Sequence, residues 1–311
     1  MTSKRLLRLP ILFTLSLCAI LAAAQEPSAT ATLDATIAKL MAGKPGAVVA
    51  LDVVSGKIIA QSNLKTAAER VTAPGSTLKP FVLLELLQAG KVDPEQRLVC
   101  SRRLTIAGRR MDCTHSPAIT QLDAADAVAY SCNSYFAQAA SRLTPTELAA
   151  TLERAGLASR TELVAEEAIG RVATAGDLPH QQLQALGYWG VEVTPLELLA
   201  AYRNLALHKL KNDLPSSAAG PVFAGLERSV QYGMAHSEAA SPGAFAFAGK
   251  TGTAAGASAQ THGFFVGYAP VDKPEIVLVV YLEHGHGADA ATIAAPIFAA
   301  YAKNRANGAA R

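Results

Sequence analysis

Charge, aromatic side chains and cysteine are all scarce in this 311-residue chain. Charged residues make up 17%, aromatics 6%, and there are four cysteines. The small basic excess sits almost entirely at the start, where Lys4, Arg5 and Arg8 fall in a 24-residue segment without an acid. Without that segment Lys+Arg drops from 28 to 25 and equals Asp+Glu at 25. A neutral chain with no arginine-aromatic stripe lacks the electrostatic footprint of a nucleic-acid binder, so no nucleic acid is expected as partner. There is no fixed-period repeat and no long linker. Half of the residues are apolar, which excludes the disordered and fibrous classes and is enough for a sizeable core.

The longest apolar run, Ile11 to Ala24, is 14 residues. A membrane span needs ~18–20. A basic start, a short apolar run and the small-residue end Ala22-Ala23-Ala24 predict a secretory signal peptide over 1–24, cut after Ala24. The alternative is an uncleaved N-terminal anchor. The chain is therefore expected to be exported, periplasmic or extracytoplasmic, and membrane-anchored if the leader is retained. Residues 25–44 read as a polar, Ala/Thr-rich lead with a short helix. The main domain is expected over 45–303, followed by a tail over 304–311.

Alternation and turn residues predict a hairpin over 47–60, turning at Ser55-Gly56, and three strands near 244–251, 261–268 and 275–282. The middle, about 120–236, reads as helices punctuated by Pro145, Pro179 and Pro195. A last helix is expected over 289–303, kinked at Pro296. Two strands at one end, three at the other and helices between predict an α+β fold. One antiparallel sheet of about five strands would be formed from both ends of the chain, with the last helix on one face and the helical middle on the other.

In an exported protein, Cys100 and Cys113 can close a 14-residue loop around a hairpin turning at Ala107-Gly108. A disulfide there would stabilise by ~3 kcal/mol, mostly through the unfolded chain. The sequence shows no second Cys or His pair at metal-ligand spacing, so zinc is the poorer reading and no metal is expected. Cys132 reads as a small buried residue, His115 as structural or exposed, and Trp189 as packing. His284 and His286 read as exposed loop histidines rather than ligands.

A serine is a weak nucleophile unless a nearby base takes its proton. Ser76-Thr77-Leu78-Lys79 sets a serine and a lysine one helical turn apart, after Pro74-Gly75 and before the apolar run Phe81–Leu87. At a helix N-terminus the serine meets free N–H groups and the positive end of the dipole. Desolvation of Lys79 would depress its pKa and make it a base. The spacing alone is weak, since Ser62-Asn63-Leu64-Lys65 repeats it without an apolar helix behind. Two further elements follow. Ser131-Cys132-Asn133 offers a hydroxyl relay and an amide able to donate and accept. Lys250-Thr251-Gly252-Thr253 lies at a strand end, where Gly252 permits close backbone approach and Lys250 with a threonine can hold a carboxylate. Backbone N–H groups near Thr253 and Ser76 can form an oxyanion hole.

Together these elements resemble the active-site set of the penicillin-binding protein transpeptidases and serine β-lactamases. Pro74–Phe81, Ser131–Phe136, Val193–Leu198, Gly249–Ala254 and His262–Pro270 all look like penicillin-binding protein versions, so the resemblance spans about 45–303. It implies that Ser76 attacks the carbonyl before the terminal D-alanine of a peptidoglycan stem peptide, with Lys79 as base and Ser131 passing the proton to the leaving amine. Asn133 would hold the substrate. Lys250, Thr251 and Thr253 would bind the terminal carboxylate, and Gly252 would lie against the substrate backbone. Transfer to an amine or to water would follow, so D,D-transpeptidase and D,D-carboxypeptidase activity are both implied. The resemblance implies no cofactor, β-lactams as covalent inhibitors of Ser76, and a glycosyltransferase as the kind of partner.

Two other readings remain. A class D-like serine β-lactamase with a carbamylated lysine shares the Ser-x-x-Lys and Lys-Thr-Gly elements. A β-lactam or wall-fragment sensor would be acylated without turnover.

Overall fold

The computed structural model describes residues 29–236, 246–255 and 260–309. The leader expected over 1–24 lies outside the described residues. Within them the chain builds a five-stranded antiparallel sheet in the order Ile58–Ser62, Gly46–Asp52, Ile276–Leu282, Thr261–Ala269, Ala248–Ala255. Strands from both chain ends thus meet at the centre, where Val49 lies opposite Val279 and Leu51 opposite Val277.

The central strand, Ile-Val-Leu-Val-Val-Tyr-Leu, is buried at every position. An uninterrupted apolar strand fits a sheet covered on both faces. Val277, Val279 and Tyr281 enter the core under the helical middle. Ile276, Leu278, Val280 and Leu282 enter a second core beneath the helices Ala29–Met41 and Gly287–Ala309. The lead is therefore not merely polar. Leu33, Ile37 and Met41, four residues apart, form one buried face of the first helix. The last helix is longer than expected and continues through Pro296.

In the middle of the chain Pro145, Pro179 and Pro195 start helices rather than break them. Thr144 and Thr194 cap Pro145–Arg154 and Pro195–Lys211 with complete capping boxes to Glu147 and Glu197, and Asp177 caps Leu178–Ala185. Proline at the first helical positions costs no hydrogen bond, because those N–H groups have no intrahelical acceptor. Glu197 does more than cap. Its buried carboxylate accepts the backbone N–H groups of Thr194 (2.6 Å), Gly170 (2.9 Å) and Ser159 (3.0 Å), tying the 159–170 loop to this helix.

The hairpin expected between Cys100 and Cys113 is present as Thr105–Ile106 paired with Arg109–Arg110, with Ala107 and Gly108 both at positive φ (47° and 75°). The disulfide expected across its base is not. Cys100, Cys113 and Cys132 are all free and buried. Folding brings Cys132 between the other two, 3.5 Å from Cys100 Sγ and 3.7 Å from Cys113 Sγ, so Cys100 and Cys113 each rest against it rather than bonding to each other.

Candidate active site

Pro74-Gly75 leads into a tight turn, Gly75–Leu78, that runs directly into the helix Lys79–Gln88. Phe81, Val82, Leu83 and Leu86 bury that helix, and Lys79 goes in with them, with no exposed surface. Tyr202 anchors the turn by donating its hydroxyl to Thr77 O at 2.8 Å, and Thr77 Oγ1 donates to Pro74 O at 2.9 Å. Ser76 is left half-buried at the start of the helix, and among the described residues its hydroxyl has no hydrogen-bond partner.

Lys79 Nζ is fully engaged. It donates to Asn133 Oδ1 (2.6 Å), Ser131 O (2.7 Å) and Ser131 Oγ (3.2 Å), and it lies 5.5 Å from the Phe136 ring centre. Burial pushes its pKa down to about 8, so at pH 7 roughly one molecule in ten carries the free amine. Lys250, also fully buried, donates to the same Ser131 Oγ at 2.8 Å and to Thr251 O at 3.0 Å. Burial, with the charge of Lys79 adding to it, drives Lys250 well below an ordinary lysine.

Ser131 reaches both amines from a strained backbone. Its φ of 54° is in the left-handed region, unusual for a residue other than glycine. The turn stands between Ala124–Ala129 and the helix Asn133–Ala140, which Cys132 caps by accepting Tyr135 N–H at 3.4 Å. Asn133 is committed at both ends, since its Nδ2 donates to Met111 O at 3.0 Å. It positions Lys79, and a substrate contact would have to displace the Met111 bond.

The Lys250-Thr251-Gly252-Thr253 segment lies inside the edge strand Ala248–Ala255 rather than at its end; the predicted start at 244 lies outside the described residues. Lys250 and Gly252 turn toward the nucleophile helix. A side chain at Gly252 would come within 2.5 Å of Pro74 O and 2.7 Å of Thr77. Thr251 and Thr253 occupy the other face, where Thr253 Oγ1 accepts Gly287 N–H at 2.9 Å. That bond uses an oxygen lone pair and leaves the Thr253 hydroxyl proton available to an anion.

Tyr188, which the sequence reading did not single out, donates its hydroxyl to Thr253 O at 2.5 Å. In an antiparallel strand the N–H and C=O of one residue point the same way. The Thr253 N–H therefore faces the open edge, toward the Ser76 turn. Gly75 is packed against this backbone, and Gly75 N–H donates to Gly187 O at 3.0 Å. Gly187-Tyr188 thus grips both the serine turn and the strand opposite it. The only forewarning in the sequence is a glycine-aromatic pair before Trp189.

The other candidates lie elsewhere. Lys65 of the second Ser-x-x-Lys is exposed and 4.0 Å from Glu69. His284 and His286 are exposed, as expected, and Trp189 packs on His180 with ring centres 4.7 Å apart. His115 is buried beside Cys100.

Comparison with known proteins gives the family and the fold. A family model described as the penicillin binding protein transpeptidase domain matches residues 46–303. A curated relative, the peptidoglycan D,D-transpeptidase MrdA of Acinetobacter baumannii, is 58% identical over 38 residues, which is 12% of this chain and only 6% of that protein. A crystal structure of a peptidoglycan glycosyltransferase from Burkholderia ambifaria superposes with a TM-score of 0.74 at 22% identity, covering 90% of this chain and 94% of the other. Pseudomonas aeruginosa PBP2 in complex with WCK 5153 gives 0.73 at 21%, covering 87% and 76%. At these identities the superpositions establish the fold.

Proposed function

Because this chain belongs to the penicillin-binding protein transpeptidase family, we propose that it is an exported serine acyl-transferase acting on the D-Ala-D-Ala end of peptidoglycan stem peptides. The observation that carries the reading is the convergence of two buried lysines on Ser131 Oγ, one of them three residues after Ser76, which opens the helix and whose hydroxyl has no partner among the described residues. Few structural roles would bury two lysines without a carboxylate partner.

In the proposed reaction Ser76 Oγ attacks the carbonyl carbon before the terminal D-alanine, and its proton passes to the free amine of Lys79. The N–H groups of Ser76 and Thr253 hold the oxyanion. Collapse breaks the C–N bond. The departing amine takes its proton through Ser131, and Lys79 resupplies Ser131 with the proton it took from Ser76. An amine of a second stem peptide then attacks the acyl-enzyme and restores the Ser76 proton, which is transpeptidation. Water in its place gives carboxypeptidase activity.

The terminal carboxylate of the substrate pairs with Lys250 on the face turned toward the nucleophile helix, while Gly252 on the same face admits its backbone. An arriving carboxylate supplies the opposite charge that Lys250 now lacks and so raises its pKa. A β-lactam acylates Ser76 in the same pose. A glycosyltransferase that polymerises the glycan strand is the class of partner that would present this substrate. Among the described residues no helix is long and apolar enough to cross a membrane.

Intact mass measurement after incubation with a penicillin tests the reading. A single adduct on the Ser76 peptide, lost in Ser76→Ala, together with D-alanine release from a stem pentapeptide, is the expected result. An adduct elsewhere overturns it. Rapid loss of the adduct with hydrolysis of a chromogenic cephalosporin moves the protein to the β-lactamases. A lasting adduct without D-alanine release moves it to the sensors.

A further inference from the structure

Cys100, Cys113, His115 and Cys132 are all buried, and their ligand atoms lie within 4.8 Å of one another. Cys132 Sγ is 3.5 Å from Cys100 Sγ and 3.7 Å from Cys113 Sγ, and Cys100 Sγ is 3.5 Å from His115 Nε2. These separations are too long for a disulfide, whose sulfurs bond at about 2.05 Å. They are close to the edges of a coordination tetrahedron. Zinc with bonds of about 2.3 Å to sulfur and about 2.1 Å to nitrogen sets S···S edges of about 3.8 Å and S···N edges of about 3.6 Å.

The surroundings aim the four groups inward. His115 Nδ1 lies 3.2 Å from Ser116 O. A carbonyl only accepts, so Nδ1 carries the proton and Nε2 turns a lone pair toward Cys100. Ser134 N–H donates to Cys113 Sγ at 3.3 Å and Tyr135 N–H to Cys132 Sγ at 3.4 Å. Backbone N–H donors of this kind support thiolate ligands from outside the coordination sphere.

We propose that Cys100, Cys113, His115 and Cys132 bind a zinc ion that ties the 100–115 hairpin to the Ser131–Asn133 turn. Three thiolates and an imidazole select a soft or borderline cation in tetrahedral geometry. All four positions come from protein, so the ion is structural and offers no open site for a substrate. Binding releases the three thiol protons to solvent. The consequence for the active site is mechanical. Cys132 lies between the residues that hold Lys79, and Asn133 Nδ2 reaches Met111 O on the strand of chain leading to Cys113. A metal here fixes Cys132 and with it the strained Ser131 backbone next to it, a task that the expected Cys100–Cys113 disulfide would have left undone.

The test uses the full chain purified without chelator. Elemental analysis is expected to find about one zinc per chain. Stripping with a strong chelator should expose the three thiols to a thiol reagent, and cobalt(II) added to the stripped protein should give the thiolate-to-cobalt charge-transfer band of a tetrahedral site. Cys113→Ser and His115→Ala should each lose the metal, whereas Ser76→Ala should keep it, which separates this inference from the acyl-transfer reading. If the variants do not fold, the unaltered chain decides alone. Zinc-free protein with no cobalt band, or a mass two hydrogens short from a disulfide among these cysteines, overturns the proposal. Reversible loss of metal and of thermal stability on chelation, restored by zinc, upholds it.

Discussion

Ser131 Oγ receives hydrogen bonds from two buried lysines, Lys250 Nζ at 2.8 Å and Lys79 Nζ at 3.2 Å. Two lysine amines on one oxygen, with no carboxylate paired to either among the described residues, is an arrangement that favours losing a proton. Burial is the larger cause for both, and Lys79 adds repulsion at Lys250.

The first prediction is therefore a pH profile. Lys79 falls from an ordinary 10.5 to about 8. Penicillin acylation of Ser76 should rise close to tenfold per pH unit up to about 8 and level off above, as the free amine accumulates. Stability has its own sign. Between about 8 and 10.5 the unfolded chain holds the Lys79 proton and the folded chain does not, so stability rises with pH across that window. Stopped-flow acylation from pH 6 to 9.5 and denaturant midpoints from pH 7.5 to 10.5 measure the two effects. A flat acylation profile would remove Lys79 as the base.

Tyr188→Phe removes the hydroxyl that holds Thr253 O and little else. A single hydrogen bond of this kind is worth about 1 kcal/mol, or about fivefold in rate. Since the bond positions the Thr253 N–H opposite Ser76, the loss should appear in the acylation rate at saturating β-lactam, with the thermal midpoint lowered by no more than a few degrees. A variant with a normal acylation rate and a lower midpoint would make Tyr188 a packing residue only.

Glu197 holds three backbone N–H groups from inside the core. Glu197→Gln turns an N–H2 toward at least one of those donors and strands it. The expected cost is about 2 kcal/mol, or roughly 4–8 °C in a domain of this size. Differential scanning fluorimetry reads it, and acylation at 20 °C should survive if the loop stays folded.

Much of this was legible beforehand, for physical reasons that can be named. The alternating and apolar runs at both chain ends announce strands whatever packs on them, and the register joining Val49 to Val279 follows from burying both faces. Pro74-Gly75-Ser76 before an apolar helix places the nucleophile. What the sequence hid is whatever depends on distant segments meeting. Cys100, Cys113 with His115, and Cys132 come from three separate pieces of chain, so spacing rules that find local ligand pairs pass over them. The same rule, applied to two cysteines flanking a hairpin, gives the wrong bond. Tyr188 and Thr253 are 65 residues apart and carry no mutual signal. The stripe of Leu33, Ile37 and Met41 is hidden among polar residues, so the first helix reads as a polar lead.

The closest test of the serine turn is a pair of glycines. Gly75 and Gly90 both adopt positive φ, 57° and 62°, so alanine is strained at either position by about 1–2 kcal/mol. They differ in what surrounds them. A methyl at Gly90 meets nothing within 4 Å, whereas one at Gly75 would lie 2.5 Å from Thr253 O and 3.1 Å from Thr253 N. Gly90→Ala should therefore lower the thermal midpoint by a few degrees and leave acylation unchanged. Gly75→Ala must push the edge strand away from the serine, separating the N–H of Thr253 from that of Ser76. One oxyanion donor is worth about 100-fold or more in rate. Gly75→Ala should accordingly lose acylation far beyond what its stability predicts, measured by burst kinetics with a fluorescent penicillin at a temperature where both variants are folded. Equal acylation by the two would mean that the strand and the turn do not share the oxyanion.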